Sequence, residues 1–241
     1  MQDLVGSMAS SLSGFHDDPA GRLTACRKMV ERHPTKGPLW WMSARVITAA
    51  DPVDEAWRCL DEWVSDPTIT ELGFALPEGA KALVVGAPER LVGAFASRGD
   101  VAVTVVDTDG CCGPFVADLE AAEVDVTRID LMDMGQAIAV ADLLVLDASA
   151  VGPTGLFAEA GSWPAAAVAH TSGVAVWAVA GVGRVLRAGV WTAIGERSAG
   201  TRGFEVVPME LIDQVVGPVG PARAQDAALT SDSPDAPELA H

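Results

Sequence analysis

The stretch ALVVGAPERLVGAFASRGDVAVTVVD, Ala82 to Asp107, decides the fold. A short apolar run ends at Gly86, a helix-length segment covers Glu89–Ser97, and a second apolar run rich in β-branched residues ends at Asp107. The same alternation continues through strand-like runs at Val124–Ile129, Leu143–Ala148 and Val174–Ala180. Helix-length segments lie between them at Phe115–Ala122, Met134–Val140 and Trp163–Ser172. Strands that are apolar almost throughout, rather than at every second position, need both faces of their sheet covered. Right-handed crossovers between them then give a doubly wound, Rossmann-like parallel sheet. The expected class is α/β, with a helical N-terminal region followed by that sheet.

Working outward, residues 1–75 read as helical and 79–217 as the Rossmann-like domain. In RLTACRKMVERH, Leu23, Cys26, Met29 and Val30 share one helical face, and Pro34 with Gly37-Pro38 ends the pattern. PLWWMSARVITAA follows, and then DPVDEAWRCLDEWVSD. There Asp51 is a natural N-cap, Pro52 suits the first helical position, and Val53, Ala56, Trp57, Leu60 and Val64 form an apolar stripe. Trp40, Trp41, Trp57 and Trp63 are expected as core and helix-contact residues. Residues 218–241, rich in Pro, Ala, Asp and Ser without a period, read as a disordered acidic tail.

Charge and cysteine usage exclude several classes of function. Asp and Glu number 33 against 16 Lys and Arg, for a formal charge of −17. Nucleic acid and anionic membranes are held by clustered positive charge, so neither is an expected partner. Met1 to Asp18 carries no basic segment followed by an apolar one, and no apolar run is long enough to span a bilayer. Cys26, Cys59, Cys111 and Cys112 have no CxxC spacing and read as reduced thiols of a cytoplasmic protein. No metal site is expected, because no histidine is spaced with a cysteine or carboxylate as a ligand pair. VGAPERLVGAF lacks the GxGxxG spacing, GVGRVL carries half of it after the last regular strand, and no GK[ST] occurs, so no cofactor is expected.

Ligands of open α/β sheets bind at the carboxyl ends of the strands, which nominates the loops after Gly86, Asp107, Ile129 and Asp147. DTDGCCGP places Asp109, Cys111 and Cys112 at one strand end. Neighbouring aspartates oppose thiolate formation there, so the pair reads as two small turn residues. DASAVGPTGLFAEAGSWP is the richest loop: a turn runs from Gly152 to Gly155, and Gly161-Ser162 leads into a helix whose first N–H groups suit an anion or, equally, are met by Ser162 as an ordinary cap.

The order of these motifs resembles that of a known family. LLVLDASAVGPTGLFAEAGSWPAAAVAHTSGVAVWAVA is similar to the part of the translation initiation factor 2B alpha/beta/delta family that runs strand, G-A-D, turn, N-K-I-G-T, helix, G-V-P, strand. IGERSAGTRGFEVVPMELIDQVV looks like that family's E-R segment followed by F-[DE]-x-[TV]-P-x-E-L-I, matched at Phe204, Glu205, Pro208, Glu210, Leu211 and Ile212. The family includes regulatory subunits of a guanine-nucleotide exchange factor and isomerases of methylthioribose 1-phosphate or ribose 1,5-bisphosphate. The resemblance implies a Rossmann-like domain, a homodimer formed through it, and a small sugar or sugar-phosphate ligand at the strand ends.

The family's isomerases use a cysteine and an aspartate facing each other across the substrate. Their counterparts here are Gly86 and Ser149, the N-K pair falls near Glu159 and Ala160, and the arginine of E-[ST]-R-P becomes Asp109. Asp147 and Ser149 are the remaining candidates for catalysis, with Gly86, Asp109, Gly155, Glu159, Gly161 and Ser162 as ligand-binding candidates. Loss of two cations predicts an acidic pocket, poor for phosphate. The expectation is a divergent, non-catalytic ligand-binding or regulatory homo-oligomer. The alternative is an aldose–ketose isomerase acting on a ribose-phosphate-type or related sugar with altered catalytic residues.

Overall fold

The computed structural model describes residues 2–15, 17–227, 231 and 233–239. Five helices come first: α1 (Gln2–Ser13), α2 (Pro19–Arg32), α3 (Gly37–Thr48), α4 (Pro52–Val64) and α5 (Thr68–Ala75). The alternating region follows as β1 (Lys81–Val85), α6 (Val92–Ala96), β2 (Ala102–Asp107), α7 (Gly113–Ala121), β3 (Asp125–Asp130), α8 (Met134–Ile138) and β4 (Leu143–Asp147). Beyond it lie β5 (Ala150–Gly152), β6 (Gly155–Glu159), α9 (Ser162–Ser172), β7 (Ala175–Val179) and α10 (Ala188–Ser198). The chain continues through β8 (Phe204–Pro208), β9 (Gln214–Gly217), β10 (Gly220–Arg223) and α11 (Ala224–Ala227).

Seven strands form one sheet in the order β10-β9-β7-β4-β1-β2-β3, parallel except for β10. Burial of both faces explains the unbroken apolar strands. Leu83, Val85 and Leu144 pack on one side with Ile138, Ala165 and Ala169 from α8 and α9. Ala82, Val84 and Val145 pack on the other side with Phe95, Phe115 and Leu119 from α6 and α7. The α/β, doubly wound expectation is therefore met. β1 stands between β2 and β4, so the chain winds outward through β3 and crosses back to β4. The carboxyl ends of β1 and β4 form the switch point where such sheets leave a crevice.

The helical region is built as its caps dictate. Asp51 accepts from the N–H groups of Val53 and Asp54, both at 3.1 Å, with Pro52 in the first turn. Trp40 and Trp41 are fully buried in a third core, which also takes in Ala150, Phe157, Leu186 and Val190 from the α/β region. Trp57 departs from its expected core role, being 42% exposed. Arg45 ties α3 to α4 through Glu55 and Glu62, and its guanidinium lies 4.8 Å from the Trp41 ring centre.

Two features depart from the sequence reading. First, β5, β6 and β8 form a separate three-stranded antiparallel sheet, with the hairpin turn at Pro153-Thr154. Second, the segment expected as a disordered tail is ordered where it is described. β10 pairs with β9 in the register Gly220↔Gly217 to Arg223↔Gln214, and Ala224 and Ala227 are buried. Farther on, the Glu238 carbonyl accepts from Arg27 at 2.9 and 2.6 Å and Leu239 is buried. Small residues and proline look unstructured by composition, but an edge strand tolerates Pro221 and the sheet supplies apolar surface for the alanines. Residues 228–230, 232, 240 and 241 of that segment lie outside the described residues.

The joint between the helices and the sheet is tight. Gly37 N–H donates to the Ser149 carbonyl at 3.1 Å, and a Cβ added at Gly37 would lie 2.6 Å from that oxygen. Gly37→Ala is expected to lower stability by about 1–3 kcal/mol, read as a lower urea midpoint with little change in slope.

Candidate functional site

A cleft of about 490 Å³ opens at the switch point. Val85, Ala87 and Pro88 reach it from the end of β1, Asp147 and Ser149 from the end of β4, and Glu159 from the end of β6. Lys36, at the start of α3, and Leu4 of α1 close it from the helical side, while Arg90 and Arg184 enter from loops. The lining holds three cations, Lys36, Arg90 and Arg184, against three carboxylates, Glu89, Asp147 and Glu159.

Arg184 is the most constrained of these. It is 7% exposed, donates to the Ala148 carbonyl, and lies 3.4 Å from Asp147 Oδ1. Burial pushes its guanidinium down to about 10, the Asp147 carboxylate opposes that shift, and nearby Arg90 adds to it. Its Nε is buried without a hydrogen-bond partner. A buried charged donor left unsatisfied is costly. Asp147 also faces Arg90, with Nε at 3.6 Å. Lys36 holds its ammonium 5.2 Å from the centre of the Phe204 ring. Burial, and then Arg184, lower its proton affinity, while Asp147 and Glu159 raise it.

The half-fingerprint GVGR has a packing explanation. A Cβ at Gly181 would meet the Asp66 carboxylate at 1.9 Å, and Gly183, at φ +74°, would meet the Trp41 ring at 2.7 Å. Those glycines let the loop press against the helical region and carry Arg184 to the cleft.

The residues nominated from sequence divide into four groups. Asp147, Ser149, Glu159 and Ser162 line the cleft. Asp109 and Gly161 line an adjoining cavity of about 410 Å³, which shares Glu159 and Phe204 with the cleft. Gly86, at φ +71°, lies directly under Glu159: an added Cβ would sit 2.1 Å from its carboxyl group. Gly155 is not at the site. It follows the hairpin turn, pairs with Gly152 and Pro208, and is glycine because the Val207 carbonyl would lie 2.5 Å from a Cβ.

Three chemical expectations are also corrected. The Ser149 hydroxyl, a candidate for catalysis, is spent on the Thr35 carbonyl. Ser162 is not the cap of α9. Gly161, at φ +99°, holds that position, and the Glu205 carboxylate accepts from Trp163 N–H at 2.5 Å, so the chain supplies its own anion to the helix start. The pocket is not acidic, because the cations that the family pattern would place at Asp109 and Ala160 are replaced by three from elsewhere in the chain.

No cysteine lines the cleft. The Asp109 charge raises the exposed Cys111 thiol above its usual range, and burial and Asp107 raise Cys112. Among the described residues no cluster of His, Cys, Asp and Glu could hold a metal, and no helix is long and apolar enough to cross a membrane.

Among solved structures, eIF2B beta from Chaetomium thermophilum superposes with a TM-score of 0.80 over 99% of this chain and 86% of its own, at 16% identity. The chain has the fold of an eIF2B subunit. The Pyrococcus horikoshii OT3 translation initiation factor eIF-2B gives a TM-score of 0.73, covering 91% of this chain and 90% of its own, at 11% identity. The tetrameric eIF2B-beta2-delta2 complex from C. thermophilum gives 0.72, covering 95% and 88%, at 16% identity. No known protein-family profile matches this sequence, and no curated protein sequence does. The eIF2B-like fold survives here at identities where pairwise sequence comparison carries no signal.

Sequence reasoning missed Lys36, Arg90 and Arg184. All three sit beside turn-forming Gly or Pro, in TKGP, APER and GVGR, which is the signal that could have found them. The Cys111 environment is directly testable. Asp109→Asn removes the largest influence raising the thiol, so alkylation by iodoacetamide at pH 8 should become several-fold faster than in the native chain.

Proposed function

We propose that this chain is a divergent member of the eIF2B alpha/beta/delta family that binds a small phosphorylated ligand in the cleft without turning it over, and does so as a homodimer in the cytoplasm. The observation that carries the reading is the gathering of three cations, Lys36, Arg90 and Arg184, in one cleft. Guanidinium and ammonium groups in a partly dehydrated crevice suit a phosphate oxygen. The two groups nominated for catalysis are already engaged: Asp147 faces two guanidiniums and Ser149 donates to Thr35. A proton-transfer step needs a group free to reach the substrate.

Binding should be visible as stabilisation. With fructose 6-phosphate at one hundred times its dissociation constant, linkage supplies about 2.7 kcal/mol, or roughly 5–10 °C in melting temperature for a chain of this size. Lys36→Met removes the charge and keeps an apolar stem against Phe204, so it should lose most of that shift with little change in the unliganded melting temperature.

A second reading, an aldose–ketose isomerase with altered residues, draws on one observation. Burial raises the Glu159 carboxyl above the usual range while Asp147, in the same cleft, sits between arginines, and paired carboxylates in contrasting environments are a common acid–base arrangement. Solvent deuterium appearing at the carbon next to the sugar carbonyl would support it; under the binding reading none is incorporated.

The homodimer reading is supported by apolar side chains at the start of α9: Trp163 is 50% exposed, and Leu131, which lies beside Gly161, is 44% exposed. Assembly of the tetrameric eIF2B-beta2-delta2 complex supports the same use of the fold. Trp163→Glu should shift the mass measured by light scattering at micromolar concentration from dimer to monomer. A monomeric native chain would remove the homodimer from the reading.

A further inference from the structure

We propose that Glu159 sets the ligand specificity of the cleft, admitting a molecule with one anionic end and a neutral, hydroxyl-bearing other end and refusing one that is anionic at both. The inference rests on the phosphorylated-ligand reading above and goes beyond it by naming the residue that discriminates.

The groove at the strand ends is electrically divided. On one side lie all the cations, Lys36, Arg90 and Arg184, together with Glu89 and Asp147. On the other lies the cavity of about 410 Å³ lined by Thr108, Asp109, Leu131, Gly161 and their neighbours, in which no Lys or Arg side chain takes part except across the shared wall. Glu159 and Phe204, paired across β6 and β8, are that wall and line both compartments. Glu159 is held there by position rather than by a counter-charge. Its oxygens accept from Thr108 Oγ1 at 3.2 Å and from Ala87 N–H at 3.4 Å, and no ion pair engages it among the described residues. Both hydrogen bonds are long for a carboxylate, which leaves acceptor capacity for a ligand.

Gly86, at φ +71°, leaves the room that this carboxyl group occupies: an added Cβ would lie 2.1 Å from it and displace the glutamate. A phosphate monoester with its anion on the cation side presents hydroxyl donors to Glu159, and these suit an acceptor-only group. A second phosphate in the same place meets a half-buried carboxylate with Asp109 beyond it, and like charges at short range in a partly dehydrated site repel strongly.

The test is calorimetric titration of the full chain with fructose 6-phosphate and fructose 1,6-bisphosphate, which differ by one phosphate. The native chain should favour the monophosphate by about tenfold or more. Glu159→Gln keeps the shape and removes the charge, so the bisphosphate should gain relative to the monophosphate by about the same factor, the monophosphate losing a charged acceptor for its hydroxyls. Glu159→Ala reads the same ratio if the glutamine variant does not fold, and it should also favour the bisphosphate. Equal binding of both esters by the native chain, or a ratio that Glu159→Gln leaves unchanged, overturns this inference and leaves the phosphorylated-ligand reading standing. If neither ester binds the native chain or the variants, that reading falls and the Glu159 inference falls with it.

Discussion

The architecture turns on one buried guanidinium. Arg184 takes its charge into a place that water scarcely reaches, and a charge there must be met by fixed partners. The partners come from the end of β4, namely the Asp147 carboxylate and the Ala148 carbonyl. The backbone follows suit: Val151 N–H donates to the Arg184 carbonyl at 2.7 Å and Leu186 N–H to the Val151 carbonyl at 2.8 Å. Two residues away, Ser149 is held from three sides, by Gly37, by Thr35 and by Phe157 of the second sheet. Residues 147–151 are therefore the point where the large sheet, the small sheet and the helical region meet. Whatever binds in the cleft touches that joint.

This arrangement separates two things that sequence patterns tend to merge. An isomerase site needs charge for the phosphate and free groups for the proton. Here the charge is present, but it arrives from α3 and from two loops, while the acid–base positions are bound into the framework. The strongly negative chain thus keeps a local cluster of cations, surrounded by carboxylates that restrain and orient them. Glu159 and Asp109 then give the groove a direction, with the cations gathered at one end and only carboxylates at the other.

Much of this was legible in the residues and some was not. β1, β2, β4 and β7 fall within a residue or two of the apolar runs that announce them, because a strand buried on both faces has no other way to be written, and the edge strand β3 falls as close although none of its residues is buried. The Asp51-Pro52 start of α4 is equally local, since a cap depends on the two or three N–H groups beside it. β5 and β6 escaped notice because they are held by each other and, through β6, by β8, a pairing of more than forty residues' separation that no local period records. The tail misled because composition measures how much apolar surface a segment brings, not how much the rest of the molecule offers it.

The candidate site divides along the same line. Asp147, Ser149, Glu159 and Ser162 could be nominated because strand ends in a wound sheet are bound to face one crevice. Whether each was free to act could not, since Ser149's partner is Thr35, more than a hundred residues away, and α9 is capped by Glu205 rather than by its own serine. Lys36, Arg90 and Arg184 are ordinary surface charges until folding brings them together. Periodicity and capping are properties of neighbouring residues, so the sequence alone determined the layers and where their ends would gather. Charge balance within a cavity is a property of groups brought close in space, and only the tertiary structure decided that.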